Sequence, residues 1–129
     1  MSRPQRWLLH LLVVLLVGLA SPGEAAAQTP IDQRPVVDDV EGVLSIIADR
    51  AEARGVSGRW MVALARCESH LNVYAVGRAG ELGLYQLHPR GLLPVFYVWG
   101  YTDPWSAWEQ ADFTAVALSR GLSGHWSCA

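Results

Sequence analysis

The stretch LARCESHLN, at positions 64–72, places a glutamate at the end of an apolar helix. Met61, Leu64, Ala65 and Glu68 follow one another at i, i+3, i+4 and i+7, which is one face of an α-helix. Glu68 therefore extends an apolar stripe, and apolar neighbours should raise its pKa. A glutamate that stays protonated near neutral pH can act as a general acid. The alternative is an ordinary glutamate at a helix end, exposed or paired with a nearby basic side chain.

The sequence on both sides of this stretch predicts an all-α, mainly helical domain over residues 38–129. Residues 57–69 form the helix that carries the glutamate, and residues 106–120 form another, ended by Gly121. The glycine-rich residues 73–86 are turn-like and could contain a small hairpin beside the active-site cleft. A first helix is predicted between two aspartates and Gly55, with apolar positions at Val40, Val43, Leu44, Ile47 and Ala51.

The first 27 residues have the pattern of a secretory signal peptide. Two arginines precede an apolar run at 7–20, and Ala25 and Ala27 supply the small residues of a cleavage site before Gln28. The run is shorter than the roughly 20 residues of a membrane-spanning helix, although a retained anchor is the alternative. Residues 28–37, with two prolines and no periodicity, are interpreted as a flexible linker. We therefore expect a secreted, extracellular protein.

The chain contains two cysteines, Cys67 and Cys128. In an exported chain two cysteines indicate a disulfide, here closing a loop of roughly 60 residues, worth roughly 4 kcal/mol in the chain-entropy model. The alternatives are two free buried thiols, or a thiol nucleophile at Cys67 served by a nearby histidine.

Charge and histidine spacing argue against several classes of function. After residue 27 there are eight arginines, no lysines and eleven acidic residues, a net charge of 8 − 11 = −3, so no basic stripe for nucleic acid is present. His70, His88 and His125 lie far apart in the sequence and in no ligand spacing, so we expect neither a metal nor another cofactor. We also expect a monomer.

Residues 63–89, ALARCESHLNVYAVGRAGELGLYQLHP, resemble the core motif of the lytic transglycosylases of the lysozyme superfamily (SLT-like domains). That motif has a Glu-Ser pair at a helix end, a glycine-rich turn and a G-L-x-Q segment that ends in proline. The tail GLSGHWSCA is similar to that of small secreted relatives. The matching positions here are Glu68, Ser69, Asn72, Ala75, Gly80, Gly83, Leu84, Gln86 and Pro89.

The resemblance implies cleavage of the β-1,4 bond between N-acetylmuramic acid and N-acetylglucosamine in peptidoglycan. In this family the glutamate, here Glu68, protonates the leaving oxygen and then acts as base while the C6 hydroxyl of muramic acid attacks C1, which gives a 1,6-anhydro product. Glycoside hydrolysis instead uses a pair of carboxyl groups. Glu81 and Asp103 are the candidates for a second carboxylate, and Glu81 is also readily interpreted as a solvated loop charge.

The chain departs from the family pattern at three places. The serine that often stands nine residues after the glutamate is replaced by Gly77, and the methionine before the glutamine by Tyr85. The tyrosine that supports the glutamate from the last helix is also missing, since Phe113 is the aromatic residue there. Support could come from Tyr85 or Tyr101 instead. These departures leave a hydrolase open as an alternative to the transglycosylase.

Substrate contacts are expected from five residues. Gln86 would contact acetamido or hydroxyl groups, and Ser69 and Tyr85 would lie beside it in the cleft. Trp99 and Tyr101 flank Gly100 in a predicted loop and are the best aromatic candidates for the faces of sugar rings, with core packing as the alternative for both. A non-catalytic wall-binding module and a secreted interaction protein with a Trp-rich docking segment remain the two non-enzymatic hypotheses.

Overall fold

The computed structural model describes residues 39–129, which fall within one compact unit. The predicted signal peptide (1–27) and linker (28–37) lie outside the described residues. Four α-helices follow one another as α1 (Val40–Arg54), α2 (Gly58–Ser69), α3 (Leu92–Val98) and α4 (Ala107–Ser119), and a short 3-10 helix covers Ser123–His125. The predicted mainly-α fold is confirmed. No helix within residues 39–129 is long and apolar enough to cross a membrane.

Side-chain caps fix where three of these helices begin. The Asp39 carboxylate accepts from the Gly42 N–H at 2.7 Å, and the Ser57 hydroxyl accepts from the Trp60 N–H at 3.2 Å. Ser106 caps α4 in the same way, at 3.2 Å from the Glu109 nitrogen. These bonds satisfy N–H groups that a helix end leaves without a partner. The three helices predicted from sequence therefore begin and end within one or two residues of the expected positions.

The core forms where α1 packs against both α2 and α4. The buried face of α1 consists of Val43, Ile46, Ile47 and Ala51. Of the other apolar residues at helical spacing in α1, Val40 is 53% exposed, and Leu44 is partly buried against the core.

Helix α4 runs through the centre of the domain. Ten of its 13 residues are buried, and they include the polar side chains of Glu109, Gln110, Asp112 and Thr114. Burial on all sides explains why its apolar residues show no single face. The polar side chains buried in it hold neighbouring segments in place, as described below.

The hairpin expected around residues 73–86 is present only as two isolated antiparallel bridges, Val76–Leu82 and Leu82–Leu87. We call residues 72–87 the site loop. It is followed by α3, which the sequence did not predict. Pro94 lies in the first turn of α3, where its missing N–H is tolerated. In a sequence, however, a proline usually indicates that a helix is interrupted, so the pattern did not predict α3.

Candidate active site

Glu68 lies in the last turn of α2, where the apolar stripe ends. Met61, Leu64 and Ala65 on the same face are fully buried, and Glu68 is half-buried beyond them. Its Oε1 accepts a hydrogen bond from the Cys128 N–H at 3.4 Å. Burial raises the pKa of Glu68, and the charge of Glu81 raises it further, against the opposing effect of the Cys128 N–H. The pKa of Glu68 is thus shifted in the direction that the apolar stripe predicted.

A disulfide joins Cys67 to Cys128, as predicted, with 6.0 Å between the two Cα atoms. It attaches the residue before Glu68 to the tail of the domain. This link brings the Cys128 N–H to the glutamate, because the backbone donor belongs to the bridged residue itself.

The chain leaves α2 through two residues in the left-handed region. His70 has φ 55° and Leu71 has φ 63°, and neither is a glycine. The His70 N–H donates to the Ala65 and Arg66 carbonyls, so the helix closes with a left-handed cap. Left-handed non-glycine residues cost free energy and persist where their surroundings enforce them, often at functional sites. Here they direct the chain from Glu68 into the site loop.

Gln86, also left-handed at φ 49°, holds the site loop together from inside. Its side-chain nitrogen donates to the Ala75 carbonyl at 3.1 Å and to the Gly83 carbonyl at 2.9 Å. Both amide protons are therefore used within the loop, so Gln86 can offer a substrate its carbonyl oxygen but not its amide protons. The side chain also lines a cavity of about 280 Å³.

This cavity lies between the end of the site loop and the tail of the domain. Trp126 also lines the cavity. Its indole N–H donates to the Tyr85 carbonyl at 2.8 Å. His88 also lines the cavity. Its Nδ1 accepts a hydrogen bond from the Arg90 N–H at 3.0 Å, so in the neutral ring Nε2 carries the proton and can donate. The full set of lining residues is Gln86, Leu87, His88, Gly91, Leu92, Gly124, His125 and Trp126.

Two of the expected substrate contacts are instead structural. Tyr85 is completely buried, with its hydroxyl donating to the Met61 carbonyl at 3.1 Å, so the expectation that it lines the cleft is wrong. Ser69 is also buried, and its hydroxyl lies 2.7 Å from the Leu84 carbonyl and 3.1 Å from that of Ala65. Both side chains fasten α2 to the site loop. The packing of a loop under a helix explains the difference, because the motif itself does not distinguish residues that face the substrate from those that face the core.

The aromatic candidates Trp99 and Tyr101 also pack inward. The Tyr101 ring stacks on Phe96 with centroids 5.1 Å apart, and the Trp99 ring lies 5.2 Å from that of Phe113. Arg120 covers Trp99 at 4.5 Å. Both rings are partly exposed and line a separate cavity of about 320 Å³ with no lining residue from the site loop, so stacking of a sugar on either ring stays a prediction.

Tyr74, in the site loop, and Trp105, outside it, form an aromatic pair that was not predicted as a site from the sequence. Tyr74 is 56% exposed, and its ring centroid lies 6.4 Å from that of Trp105. Tyr74 adjoins Ala75, whose carbonyl Gln86 holds. The signal available was the position of Tyr74 inside the motif, between its asparagine and its alanine.

The two candidate second carboxylates, Glu81 and Asp103, both accept hydrogen bonds from backbone N–H groups of their own turns. Asp103 accepts from the Trp105 N–H at 2.9 Å. Glu81 interacts electrostatically with Glu68, and its own Oε2 accepts from the Ala79 N–H at 2.9 Å. Backbone N–H donors, its own first, hold the pKa of Glu81 below its usual value against partial desolvation.

Neither tyrosine considered as a support for Glu68 plays that part. The Tyr85 hydroxyl donates to Met61, and the Tyr101 hydroxyl donates to Asp112 at 2.7 Å. Phe113 is buried in the aromatic core. The Cys128 N–H contacts the Glu68 carboxyl instead.

Gln110, a buried residue of α4, supports the site loop, and this role was not predicted from the sequence. The Gln110 carbonyl oxygen accepts from the Tyr85 N–H at 2.8 Å, and its nitrogen donates to the carbonyls of Leu82 at 3.0 Å and Pro104 at 2.8 Å. All hydrogen bonds of this buried amide are thereby directed at the loop and its neighbour. Polar residues inside the apolar segment WEQADFTAVAL were the available signal.

Within residues 39–129, no three histidine, cysteine, aspartate or glutamate side chains come together in a group that could hold a metal ion. The three histidines considered for such a site are not part of one cluster.

Comparison with known families finds one match. Residues 45–92 match the model of the transglycosylase SLT domain, a family of lytic transglycosylases that act on peptidoglycan. The matched residues include all of α2 and the whole site loop. No curated protein and no solved structure matches the chain.

Proposed function

We propose that this chain, whose residues 45–92 match the transglycosylase SLT domain, cleaves the β-1,4 bond between N-acetylmuramic acid and N-acetylglucosamine in peptidoglycan with Glu68 as its catalytic acid. The observation that carries the proposal is the setting of Glu68, half-buried at the end of α2 and favoured in its protonated form. This glutamate is also the one that occupies the position of the family's catalytic residue in the motif.

In the proposed reaction, Glu68 gives its proton to the glycosidic oxygen as the bond to C1 breaks. The carboxylate so formed then takes the proton of the C6 hydroxyl of muramic acid, whose oxygen bonds to C1 to close the 1,6-anhydro ring. Glu68 thus ends the cycle protonated, with no net gain or loss of protons. The Cys128 N–H, 3.4 Å from Oε1, is placed to stabilise the carboxylate between the two steps.

We assign the cavity of about 280 Å³ to a sugar residue of the glycan strand; Gln86 and Trp126 line it, and Glu68 is not one of its lining residues. Its walls offer the Gln86 carbonyl oxygen as an acceptor, the His88 ring as a donor and the edge of Trp126 as an apolar surface. A mixed lining of this kind suits an N-acetylated sugar, which has an amide, several hydroxyls and an apolar ring face.

Hydrolysis of the same bond is the second candidate, and one observation favours it. The negative charge of Glu81 contributes to the raised pKa of Glu68. Hydrolysing glycosidases use two carboxyl groups, one of which activates water. The chemical form of the product distinguishes the two reactions.

The test is Glu68→Gln, assayed on purified cell walls. The variant keeps shape and hydrogen-bonding capacity but cannot transfer a proton, so we expect it to fold, to bind walls and to lose cleavage by about 10²-fold or more. Mass spectrometry of the muropeptides should show 1,6-anhydro ends, whereas reducing ends would favour hydrolysis. Glu52→Gln, an exposed glutamate on α1, is the matched control and should retain full activity.

Two outcomes would overturn the proposal. Wild-type cleavage by Glu68→Gln would remove this glutamate from the mechanism. Binding of walls by the native protein without any cleavage would leave the non-catalytic wall-binding module as the better hypothesis.

We further propose that the protein is exported and acts outside the membrane, at or near the cell wall. The substrate lies there, and the Cys67–Cys128 disulfide supports an oxidising compartment. The exported chain should begin within a few residues of Gln28, which intact-mass measurement would test. A chain that retains residues 1–20 would contradict this expectation.

A further inference from the structure

The cavity of about 320 Å³ has no part in the proposed reaction, although its walls are of an unusual kind. Its lining residues are Arg54, Trp99, Tyr101, Val116 and Arg120. None of the five is acidic and two are positively charged, while the chain as a whole has a net charge of −2. The two aromatic rings and Val116 are partly buried. The cavity thus combines an apolar wall with two guanidinium groups.

Arg120 is positioned in this cavity without the use of its hydrogen-bond donors. Its guanidinium carbon lies over the Trp99 ring, 4.5 Å from the ring centre, which is a cation–π contact. Within residues 39–129 the guanidinium group makes no hydrogen bond and no ion pair. The aromatic ring therefore orients a charged group whose N–H donors are available to a ligand.

Arg54 also keeps a donor in reserve. Its Nε and Nη2 donate to the Asp112 carboxylate at 2.9 and 2.8 Å, and its Nη1 has no partner among the described residues. Asp112 accepts from Arg50 and Tyr101 as well, and Arg50 pairs in turn with Asp49. Since the charges of these two arginines and two aspartates cancel, Arg120 supplies the net positive charge of the cavity, and Arg54 supplies a further donor.

We propose that this cavity binds a carboxylate attached to a small apolar group, with the carboxylate at Arg120 and Arg54 and the apolar group against the wall that includes Val116. A guanidinium group matches the geometry of a carboxylate and can donate to both of its oxygens. The volume lies at the lower end of the range of about 300–1,000 Å³ found for ligand pockets, which suits a ligand of dipeptide size.

The peptide stems of peptidoglycan are the source of such carboxylates that the proposed substrate offers. Stems that end in alanine present a carboxylate beside a methyl group, which is the combination that the cavity fits. This assignment of the source rests on the proposed function, whereas the binding of a carboxylate does not.

An NMR titration of the wild-type protein with N-acetyl-D-alanyl-D-alanine tests the site without any need for cleavage. The Trp99 indole N–H and the Val116 methyl signals should shift. The C-terminal amide of the same peptide should bind about tenfold more weakly, because the charge-assisted hydrogen bonds are lost. Inorganic phosphate, which has no apolar group, should also bind more weakly than the peptide acid.

Three variants separate the guanidinium group from its charge. Arg120→Gln should weaken binding of the peptide acid by about tenfold. Arg120→Lys keeps the positive charge at the end of α4 but not the planar pair of donors, so its loss should be smaller. Arg59→Gln, an exposed arginine of α2 outside the cavity, is the matched control and should bind as the wild type does. Since none of these changes removes a side-chain hydrogen bond of the described residues, all three variants should fold.

A cleavage assay tests the source of the carboxylate. On intact walls Arg120→Gln should raise KM by about three- to tenfold with kcat unchanged, because the contact is made equally in the ground state and the transition state. On glycan strands whose stems have been removed by an amidase, the variant should match the wild type. An equal rise of KM on both substrates would contradict the assignment to the stems.

Several results would overturn the carboxylate site itself. They are the absence of any shift with the peptide acid, equal binding of acid and amide, and unchanged affinity in Arg120→Gln. Tighter binding of phosphate would assign the site to a phosphate group instead. Shifts at Trp99 with N-acetylglucosamine oligomers and not with the peptide would support the stacking of a sugar there. Failure of the proposed function is a separate result, because the wild-type protein would then not cleave walls whatever this cavity binds.

Discussion

Asp112 is 2% exposed and has three partners, Arg54, Arg50 and Tyr101. Arg54 donates to it through two nitrogens, at 2.9 and 2.8 Å, and Arg50 lies 3.4 Å away. The Tyr101 hydroxyl completes the set at 2.7 Å. Burial alone would raise the pKa of Asp112, but the hydrogen bonds from Arg54 and Tyr101 and the two positive charges outweigh it and lower the pKa. The cluster joins α1 to α4.

Asp112→Asn should destabilise the domain by about 1–3 kcal/mol at pH 7, because two arginines and a tyrosine then face a neutral group. Urea unfolding measures this loss. Since the folded pKa lies below 3.8, the stabilisation from Asp112 is complete well above that value and is lost as the pH falls through the folded pKa. The difference between wild type and variant should therefore shrink at low pH.

Asp49→Asn is the matched control for this prediction. Asp49 pairs with the same Arg50 at 2.6 Å, but its side chain is 63% exposed. Its loss should cost under about 1 kcal/mol. Equal destabilisation by both variants would contradict the importance given to the buried cluster.

At the level of helices and loops, the sequence predicted the features that short stretches of residues determine, such as where a helix begins. Asp39, Ser57 and Ser106 marked helix starts, and the stripe ending at Glu68 correctly placed a half-buried carboxyl at a helix end. The positions of α1, α2 and α4 followed from these signals. Helix α3 did not, because its seven residues include Pro94 and no side-chain cap.

The conformation of the site loop could not be predicted from local sequence signals, because contacts between residues far apart in the sequence determine it. His70 and Leu71 turn left-handed without a glycine, and nothing local indicates it. Gly83 illustrates the same point: it has φ 78°, and a Cβ there would collide with the Gln110 side chain and with the Pro104 carbonyl. The inward packing of Tyr85 follows from these contacts too, which is why it was wrongly expected in the cleft.

For the molecule as a whole, the Cys67–Cys128 disulfide is the main covalent constraint on the unfolded chain. It closes a loop with a sequence separation of 61, for which the chain-entropy model gives about 4 kcal/mol. Reduction, or the double variant Cys67→Ser/Cys128→Ser, should therefore lower the melting temperature by about 10 °C or more. Calorimetry with and without reductant measures it.

The serine double variant also serves as the control for reductant, which should leave its melting temperature unchanged. Cleavage of cell walls should fall together with stability in the reduced protein, because the Cys128 N–H is no longer held at Glu68. A reduced protein that melts with the oxidised one would show that the disulfide adds nothing to the fold.

The buried amide of Gln110 has a consequence for how a substrate is received. A loop with so little regular structure would ordinarily be ordered only on contact with its ligand, at a loss of conformational entropy. Here the Tyr85 N–H and the Leu82 and Pro104 carbonyls are already fixed to one side chain of α4. The ordering is complete once the domain has folded. Binding energy from the rest of a glycan strand then remains available to distort the sugar ring at the bond that breaks.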